Sequence, residues 1–233
     1  MTLKNDLQSA VTSILSSKWE LSDGQVVPET PDIKLDGGGR WLQSTILYAD
    51  LADSTTLVTY DKQMAARIFK CFLSVAIKVI RHYGGNIRSF DGDRVMGIFA
   101  GDRKNTDAAK AALSIKWAFE STVRPRLYAQ YPKLSDGTLG LSYCCGIDTG
   151  KILVVRSGIR GSNDLLWIGR AANIAAKLST IRKAPYLSFI TEAVYKVMTD
   201  EAKLSKDGKP MWTLFEAWKD AGVIYGSTWQ MSH

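Results

Sequence analysis

The sequence is poor in cysteine, and its three cysteines do not suggest a disulfide-bonded fold. Their number is odd, and two of them, Cys144 and Cys145, are adjacent. A disulfide framework normally uses an even number of spaced cysteines, and the chain has no CxxC pair. We therefore expect Cys144, Cys145 and Cys71 to be buried free thiols of a protein that lives in a reducing cytoplasm.

The sequence also lacks the signals of several other protein classes. No run approaches the roughly 18 apolar residues of a membrane span, and the N-terminus has no signal-peptide core. The net charge of +7 suits an anionic partner, but there is no run of Lys and Arg, no zinc-finger spacing and no RNA-recognition signature. We expect a cytoplasmic protein that binds neither membranes nor nucleic acid.

Apolar periodicity and turn residues predict an α+β fold, in which helices pack on a mixed, mainly antiparallel sheet. The predicted helices cover residues 1–18, 60–83, 106–123, 170–181 and 191–198. The predicted strands cover residues 43–49, 86–99 (a hairpin), 139–147, 151–155, 186–190, 211–217 and 223–229. Connectors are expected at residues 20–40, 125–137, 148–150, 156–163 and 203–210.

The N-terminal part is predicted to stand apart from the main domain. Residues 1–40 are interpreted as a helix and an irregular connector, and residues 41–233 as one domain. The helix has apolar residues at helical spacing, so it either docks on the domain or forms a dimer contact. At this length an isolated helix is only marginally stable.

Two carboxylates stand at the ends of predicted strands. Asp50 follows an apolar strand, and Asp93 follows the tight turn of the next hairpin, where Asp91-Gly92 is a strong turn signal. If the hairpin pairs with the first strand, Asp50 and Asp93 meet. Two carboxylates at a strand edge suit Mg²⁺ or Mn²⁺, which prefer oxygen ligands.

Three segments together resemble the catalytic domain of the class III nucleotidyl cyclases. The segments, which lie in the order typical of that family, are Ala49–Thr55, Gly92–Phe99 and Trp167–Leu178. The resemblance covers roughly residues 44–198 and implies a ferredoxin-like core. It also implies an enzyme that converts a nucleoside triphosphate into a 3′,5′-cyclic monophosphate and pyrophosphate.

The resemblance assigns the metal and phosphate ligands. It implies that Asp50 and Asp93 hold two Mg²⁺ or Mn²⁺ ions, with the backbone carbonyl of Leu51 as a further ligand. Backbone N–H groups from Leu51 to Thr55, including those of Asp53 and Ser54, would cradle the β- and γ-phosphates. Asp53 replaces a residue that is small in many members of the family, and we interpret it as a cap of the turn.

The third segment supplies the implied catalytic side chains. Asn173 would orient the ribose, and Lys177 stands where the family has a transition-state Arg. The two residues are four apart, so they share one helix face. Lys177 keeps the positive charge but loses the fork of donors. Since the family takes the metal carboxylates and the Asn/Arg helix from different subunits, one copy of each motif implies a homodimer with two shared sites.

The residues at the two positions that select the base in this family match neither the adenine-specific nor the guanine-specific members. Adenylate cyclases have a Lys at the position of Ser89 and an Asp or Thr near Leu166, whereas guanylate cyclases have Glu and Cys. The chain is most similar to the pyrimidine cyclases of bacterial Pycsar anti-phage systems, whose product acts on a separate effector. The resemblance favours UTP over CTP. Candidates for the pocket wall are Arg88, Ser89, Phe90, Leu166 and Trp167.

Several alternatives remain open at this point. The chain could be a cytidylate cyclase, or an adenylate cyclase with an unusual pocket. It could also be a degenerate cyclase-like domain that only binds a nucleotide or a partner, a reading that the loss of the family Arg favours. A dinucleotide cyclase shares the core fold, but the hairpin lacks the Gly-Gly-Asp/Glu-Glu/Asp-Phe signature of that class.

Overall fold

The computed structural model describes residues 2–232, apart from the side chains at positions 216 and 217. Residues 1 and 233, which the predicted N-terminal helix and the predicted main domain include, lie outside this range. Within it, one sheet of nine strands forms the centre of the fold. The strands are β1 Glu20–Gly24, β2 Gly38–Leu51, β3 Asn86–Asp91, β4 Arg94–Phe99, β5 Tyr143–Ile159, β6 Ser162–Ile168, β7 Ser188–Thr191, β8 Thr213–Trp218 and β9 Gly222–Ser227.

Most of the helices pack against one of the two faces of this sheet. The helices are α1 Leu3–Ser16, α2 Ser54–Tyr60, α3 Lys62–His82, α4 Lys104–Ala118, α5 Arg124–Gln130, α6 Pro132–Ser135, α7 Arg170–Ser179, α8 Glu192–Val197 and α9 Asp200–Lys203. A 3₁₀ turn covers Thr30–Asp32, and a π-helical turn at Phe119–Val123 joins α4 to α5. The predicted arrangement of helices on a mixed sheet is therefore confirmed.

The strand order is β3-β4-β2-β5-β7-β9-β8, with β1 paired to β2 and β6 paired to β5. The pairs β1–β2 and β5–β7 are parallel, and the other pairs are antiparallel. The long β2–β5 ladder forms the middle of the sheet, from Gly39 opposite Val155 to Leu51 opposite Tyr143. Strands β4 and β3 continue the sheet on the β2 side of this ladder, and β7, β9 and β8 continue it on the β5 side.

Alternation along β2 separates two hydrophobic layers. Leu47, Ala49 and Leu51 belong to the cluster under α3 and α4. Ile46 and Tyr48 belong to the cluster under α7. Because successive side chains of a strand point to opposite faces, Asp50 lies on the face that α7 covers.

The longest predicted helix is interrupted near its start. The prediction of one helix over residues 60–83 is replaced by α2 and α3, because Asp61 leaves the helical conformation and caps α3. Its carboxylate accepts the N–H groups of Gln63 at 2.8 Å and Met64 at 3.0 Å. The predicted apolar face of α3 is confirmed, with Ile68 and Phe72 fully buried.

The predicted turn at residues 148–150 is wrong. These residues continue β5 and pair with Ser44, Thr45 and Ile46 of β2. Asp-Thr-Gly is typical of a turn locally, but here the Asp148 side chain is buried and accepts the Thr191 hydroxyl at 2.6 Å. The fourteen residues of β2 supply a continuous ladder that outweighs the local turn preference.

Three predicted connectors also contain regular structure. The basic loop at 156–163 is the tip of the β5–β6 hairpin, and residues 125–137 hold most of α5 and all of α6. The connector at 20–40 contains β1, whose pairing with β2 was not visible as apolar alternation because its side chains are mostly exposed. The division at residue 41 stays a prediction, although β2 itself begins at Gly38.

The N-terminal helix is confirmed as α1, but it buries none of its residues. The exposed fraction is 73% for Leu3 and 80% for Leu15. The interpretation that its apolar face docks on its own domain is therefore not supported, and the dimer contact stays a prediction. Among residues 2–232, no helix combines the length and apolarity needed to cross a membrane.

Two of the three cysteines are buried as expected. Burial raises the pKa of the Cys144 thiol to about 12 and that of Cys145 well above its usual value. Cys71 is exposed, so the expectation of a buried thiol is wrong there. It precedes the buried Phe72 by one residue and therefore points about 100° away from it around the helix.

The close packing of α7 against β5 can be tested by substitution of a glycine in the strand. A Cβ atom at Gly146 would lie 2.2 Å from the carbonyl oxygen of Ala175 and 2.3 Å from the amide nitrogen of Ser179. Gly146→Ala is expected to lower the free energy of unfolding by about 3 kcal/mol, because the helix must move away. In a thermal melt the midpoint should fall by roughly 6–12 °C.

Gly150→Ala is the matched control on the same strand. A Cβ atom there would meet nothing closer than Ala171 at 3.7 Å, which is an ordinary contact. Its melting midpoint should match that of the wild type. Equal midpoints for both variants would show that α7 does not sit tightly on Gly146.

Candidate active site

The structure brings Asp50 and Asp93 together at one end of the sheet. Asp50 is the penultimate residue of β2, and it pairs with Arg94, the residue after Asp93. Burial raises the pKa of the Asp50 carboxyl; the Arg182 guanidinium opposes this rise, and the nearby charge of Asp93 adds to it. The predicted hairpin and its pairing with the first strand are confirmed.

The carboxylate pair fits a divalent cation. Oδ2 of Asp93 is buried and has no hydrogen-bond partner among the described residues. A buried carboxylate oxygen without a partner is costly unless it is compensated by positive charge. Residues 2–232 contain no cluster of three or more His, Cys, Asp or Glu side chains able to hold a metal ion. The remaining ligands would therefore come from the Leu51 carbonyl and from a bound phosphate.

Arg182 completes this end of the sheet and was not predicted. Its Nη2 donates to Oδ2 of Asp50 at 3.0 Å and to the carbonyl oxygen of Leu51 at 3.2 Å. It lies beyond the end of α7, and 132 residues separate it from Asp50. No local spacing could have indicated a contact of this kind.

The predicted phosphate cradle lies at the start of α2. Asp53 is the N-cap residue and has a left-handed backbone, with φ +55°. Asp53 thus occupies the cap position that was predicted, but its side chain makes no capping hydrogen bond. The Ala52 amide donates to the Ser142 carbonyl at 2.9 Å. The predicted cradle therefore rests on the amides of residues 53–55, which include Ser54 and Thr55.

Asn173 and Lys177 are exposed on the same face of α7, as predicted. Nζ of Lys177 donates to Oδ2 of Asp220 at 2.6 Å. Asp220 lies in the turn between β8 and β9. The tether directs Lys177 away from Asp50, because β5 and β7 lie between β2 and β9.

Arg170 fixes the turn that holds Lys177. Its Nη1 donates to Oδ2 of Asp148 at 3.2 Å, and the Asp148 side chain is fully buried. Its Nη2 donates to the carbonyls of Asp220 at 3.3 Å and Ala221 at 3.4 Å. The position of Asp220, and with it that of Lys177, is therefore set by a buried carboxylate in the middle of the sheet.

Within one chain the predicted metal ligands Asp50 and Asp93 and the predicted catalytic Lys177 lie at different parts of the sheet. These two groups are called the metal half and the catalytic half of the site. Strands β2 and β9 are third neighbours, so their axes are roughly 14 Å apart. Asp50 and Asp93 lie at the β2–β4 side, whereas Lys177 is tethered at the β8–β9 turn. This arrangement is the one expected if each complete site takes one half from each of two chains.

The base-pocket candidates lie on two strands that do not pair with each other. Arg88 donates from Nη2 to Oε1 of Glu29 at 2.7 Å and is thus already engaged. Ser89 pairs with Met96, and Phe90 is 58% exposed. On β6, Leu166 is 48% exposed and Trp167 packs against the cluster under α7.

A second feature missed by sequence reasoning is the tyrosine beside the carboxylates. Tyr48 precedes Asp50 by two residues and lies on the same face of β2. The guanidinium of Arg94 lies 5.2 Å from the centre of its ring. Burial raises the pKa of the Tyr48 phenol, which therefore stays protonated at neutral pH. An alternating strand of apolar residues gave no reason to single it out.

Comparisons with known proteins show which proteins the chain is similar to. No family model matches the chain. It is 40% identical over 234 residues to a uridylate cyclase from Xanthomonas perforans, covering 99% of this chain and 98% of the relative. It is 41% identical over 234 residues to a uridylate cyclase from Burkholderia cepacia, covering 99% of each. A bacterial light-regulated adenylyl cyclase has a similar structure, with a TM-score of 0.69 at 21% identity over 84% of this chain and 54% of that one. The structural likeness confirms the expected fold.

Proposed function

Because the chain belongs to the uridylate cyclase family of class III nucleotidyl cyclases, we propose that it converts UTP into 3′,5′-cyclic UMP and pyrophosphate. The observation that carries the proposal is the carboxylate pair at the end of β2. Asp50 and Asp93 meet there, and Asp93 keeps a buried oxygen without a partner. Such a pair suits a site that receives a cation together with a triphosphate.

Asp50, Asp93 and the Leu51 carbonyl would hold Mg²⁺ or Mn²⁺, two ions per site. A divalent ion bound there supplies positive charge for the triphosphate and lowers the pKa of the attacking hydroxyl. The amides of residues 53–55, next to this point, would donate to phosphate oxygens. The chain's own contribution on this side is to bind and orient the substrate's phosphates.

The second half of the site supplies positive charge at the reacting phosphorus. The 3′ oxygen of the ribose forms a bond to the α-phosphorus, the bond from that phosphorus to the bridging oxygen breaks, and pyrophosphate leaves with the electron pair. The hydroxyl proton passes to solvent. Asn173 would orient the ribose, and Lys177 would stabilise the charge that develops on the α-phosphate oxygens.

Two copies of the chain are needed for this chemistry. The divergence of Asp50 and Lys177 within one chain supports a homodimer with two sites, each built from both subunits. An isolated chain would then bind the phosphates without the charge that stabilises the reacting centre. The exposed face of α7, with Asn173 and Lys177, would be covered on assembly.

The pocket residues support a pyrimidine base. Leu166 offers no hydrogen-bonding side chain, and Ser89 is shorter than the Lys that reads adenine. Tyr48 adds bulk on the face of β2 that carries Asp50, which suits a smaller base. Arg88 is paired with Glu29 and would have to exchange this partner to contact the base. UTP rather than CTP is proposed because the relatives are named uridylate cyclases.

The product would serve as a second messenger in the cytoplasm. The resemblance to the pyrimidine cyclases of anti-phage systems supports a role in defence, in which cyclic UMP acts on a separate effector. Because the proposed effector is a separate protein, the cyclase activity can be tested with the purified chain alone.

Product analysis with each nucleotide tests the proposal. Purified protein with Mn²⁺ receives ATP, GTP, CTP or UTP, and the products are separated by chromatography beside an Asp50→Ala control. We expect cyclic UMP from UTP and none from the control. Cyclic CMP would reassign the base, and cyclic AMP would contradict the argument from Ser89 and Leu166. No product from any nucleotide would favour a binding domain.

A further inference from the structure

One nitrogen atom of Arg182 lies where two of the proposed metal ligands converge. Nη2 donates both to Oδ2 of Asp50 and to the carbonyl oxygen of Leu51, at 3.0 and 3.2 Å. These two oxygens come from adjacent residues, one from a side chain and one from the backbone. A cationic nitrogen that bonds both of them takes the place that a divalent ion would need.

The rest of the guanidinium is anchored on the other side. Nη1 of Arg182 donates to the carbonyls of Ser179 at 2.8 Å and Ile181 at 3.2 Å. Ser179 is the last residue of α7, so the side chain bridges the end of that helix and the end of β2. The bridge is partly shielded, with 37% of the Arg182 side chain exposed against 13% for Asp50.

Charge explains why a cation belongs at this point. Asp50 and Asp93 place two like charges close together, and Arg94 is engaged with the exposed carboxylate of Asp91 at 2.7 Å. Arg182 is thus the side chain seen to compensate Asp50 directly. Arginine is well suited to this task because its planar fork can serve two groups of acceptors at once.

We propose that Arg182 is a positioning residue that holds Asp50 and the Leu51 carbonyl ready and competes with the divalent cation for them. The inference rests on the proposed function, because it takes Asp50 and Leu51 as metal ligands. Before metal binds, Arg182 neutralises the site and keeps both oxygens pointing to one place. When metal binds, Nη2 must leave these oxygens.

A purely structural role makes a different prediction. If Arg182 only caps α7 through the Ser179 and Ile181 carbonyls, its removal changes stability and leaves metal affinity unaltered. If it only supports Asp50 from behind the metal, its removal weakens metal binding. Competition for these oxygens predicts the opposite sign, because removal of Arg182 frees both ligands and strengthens metal binding.

The test measures Mn²⁺ binding by electron paramagnetic resonance, with no nucleotide present. We expect Arg182→Gln to bind Mn²⁺ about tenfold more tightly than the wild type, the size expected for losing a competing bond to a charged group. Arg126→Gln is the matched control, since Arg126 is an exposed arginine that also donates to a helix carbonyl, that of Thr122 at 3.1 Å. Its affinity should equal that of the wild type.

Two further variants keep the result interpretable. Arg182→Lys keeps a positive charge and should fall between Arg182→Gln and the wild type, and it serves if Arg182→Gln does not fold. Asp50→Asn should lose the Mn²⁺ binding. If Asp50→Asn binds Mn²⁺ like the wild type, the proposed metal site is wrong. If Mn²⁺ binding depends on Asp50 but Arg182→Gln leaves it unchanged or weaker, only the competition is overturned.

Discussion

Replacing Asp93 with asparagine is expected to lower cyclase turnover by at least about 1,000-fold, since a single misplaced electrostatic donor already costs 100- to 1,000-fold in enzymes. Asparagine keeps the shape of the side chain and loses the charge that would bind the cation. In the absence of metal, the charge on the buried, unpartnered oxygen of Asp93 contributes no stabilising contact to the fold. We therefore expect the variant to melt in EDTA at the wild-type temperature or above, while turnover with Mn²⁺ and UTP is lost.

The neighbouring Asp91 provides the control for this substitution. It lies in the same hairpin, its side chain is 74% exposed, and its carboxylate pairs with Arg94. Exposed ion pairs contribute little to stability, so Asp91→Asn should change both the melting temperature and the turnover only slightly. Loss of turnover in both variants would mean that the charge of the hairpin, and not the position of Asp93, supports activity.

Mixing two inactive variants is expected to restore activity. Asp50→Asn removes the proposed metal half of a site and Lys177→Ala removes the proposed catalytic half, so each variant alone should be inactive. If sites are shared, a mixed dimer has one complete site and one site that lacks both halves. A 1:1 co-expression should then give about one quarter of wild-type turnover, because half of the dimers are mixed and each has one site of two.

The matched control mixes two variants of the same half. Asp50→Asn with Asp93→Asn leaves every site without a complete metal half, so this pair should stay inactive. Differently tagged chains, purified in two steps, isolate the mixed dimers. If the Asp50→Asn and Lys177→Ala pair also stays inactive although mixed dimers form, each chain builds its own site and the proposed sharing is wrong.

Local signals made the carboxylate pair predictable. Asp50 follows an apolar strand, and the Asp-Gly step before Asp93 specifies a hairpin. The strand end and the hairpin are each indicated by a few consecutive residues. Pairing of β4 with β2 then brings them together without further information. The Asn173 and Lys177 pair was predictable for a similar reason, because a helix aligns residues four apart.

Features that depend on distant partners could not be predicted. Arg182 meets Asp50 across 132 residues, and Lys177 meets Asp220 across 43. Strand β5 continues through Asp148 and does not turn there, because the Asp148 carboxylate bonds Thr191 and Arg170 and because β2 is long enough to pair with this part of β5. In each case the local pattern suited a turn or an exposed helix face, and a long-range polar contact decided the outcome.

The bridge from Arg182 to α7 has a consequence for the assembled enzyme. Arg182 bonds the proposed metal ligands Asp50 and Leu51 and is anchored at Ser179, on the helix that would offer Lys177 to the other chain's site in the proposed dimer. In the proposed dimer, occupation of one site, which requires Nη2 of Arg182 to leave Asp50 and Leu51, would therefore release the contact that ties these ligands to the helix completing the second site. Such a dimer would not fill its two sites independently, and its response to substrate would be cooperative.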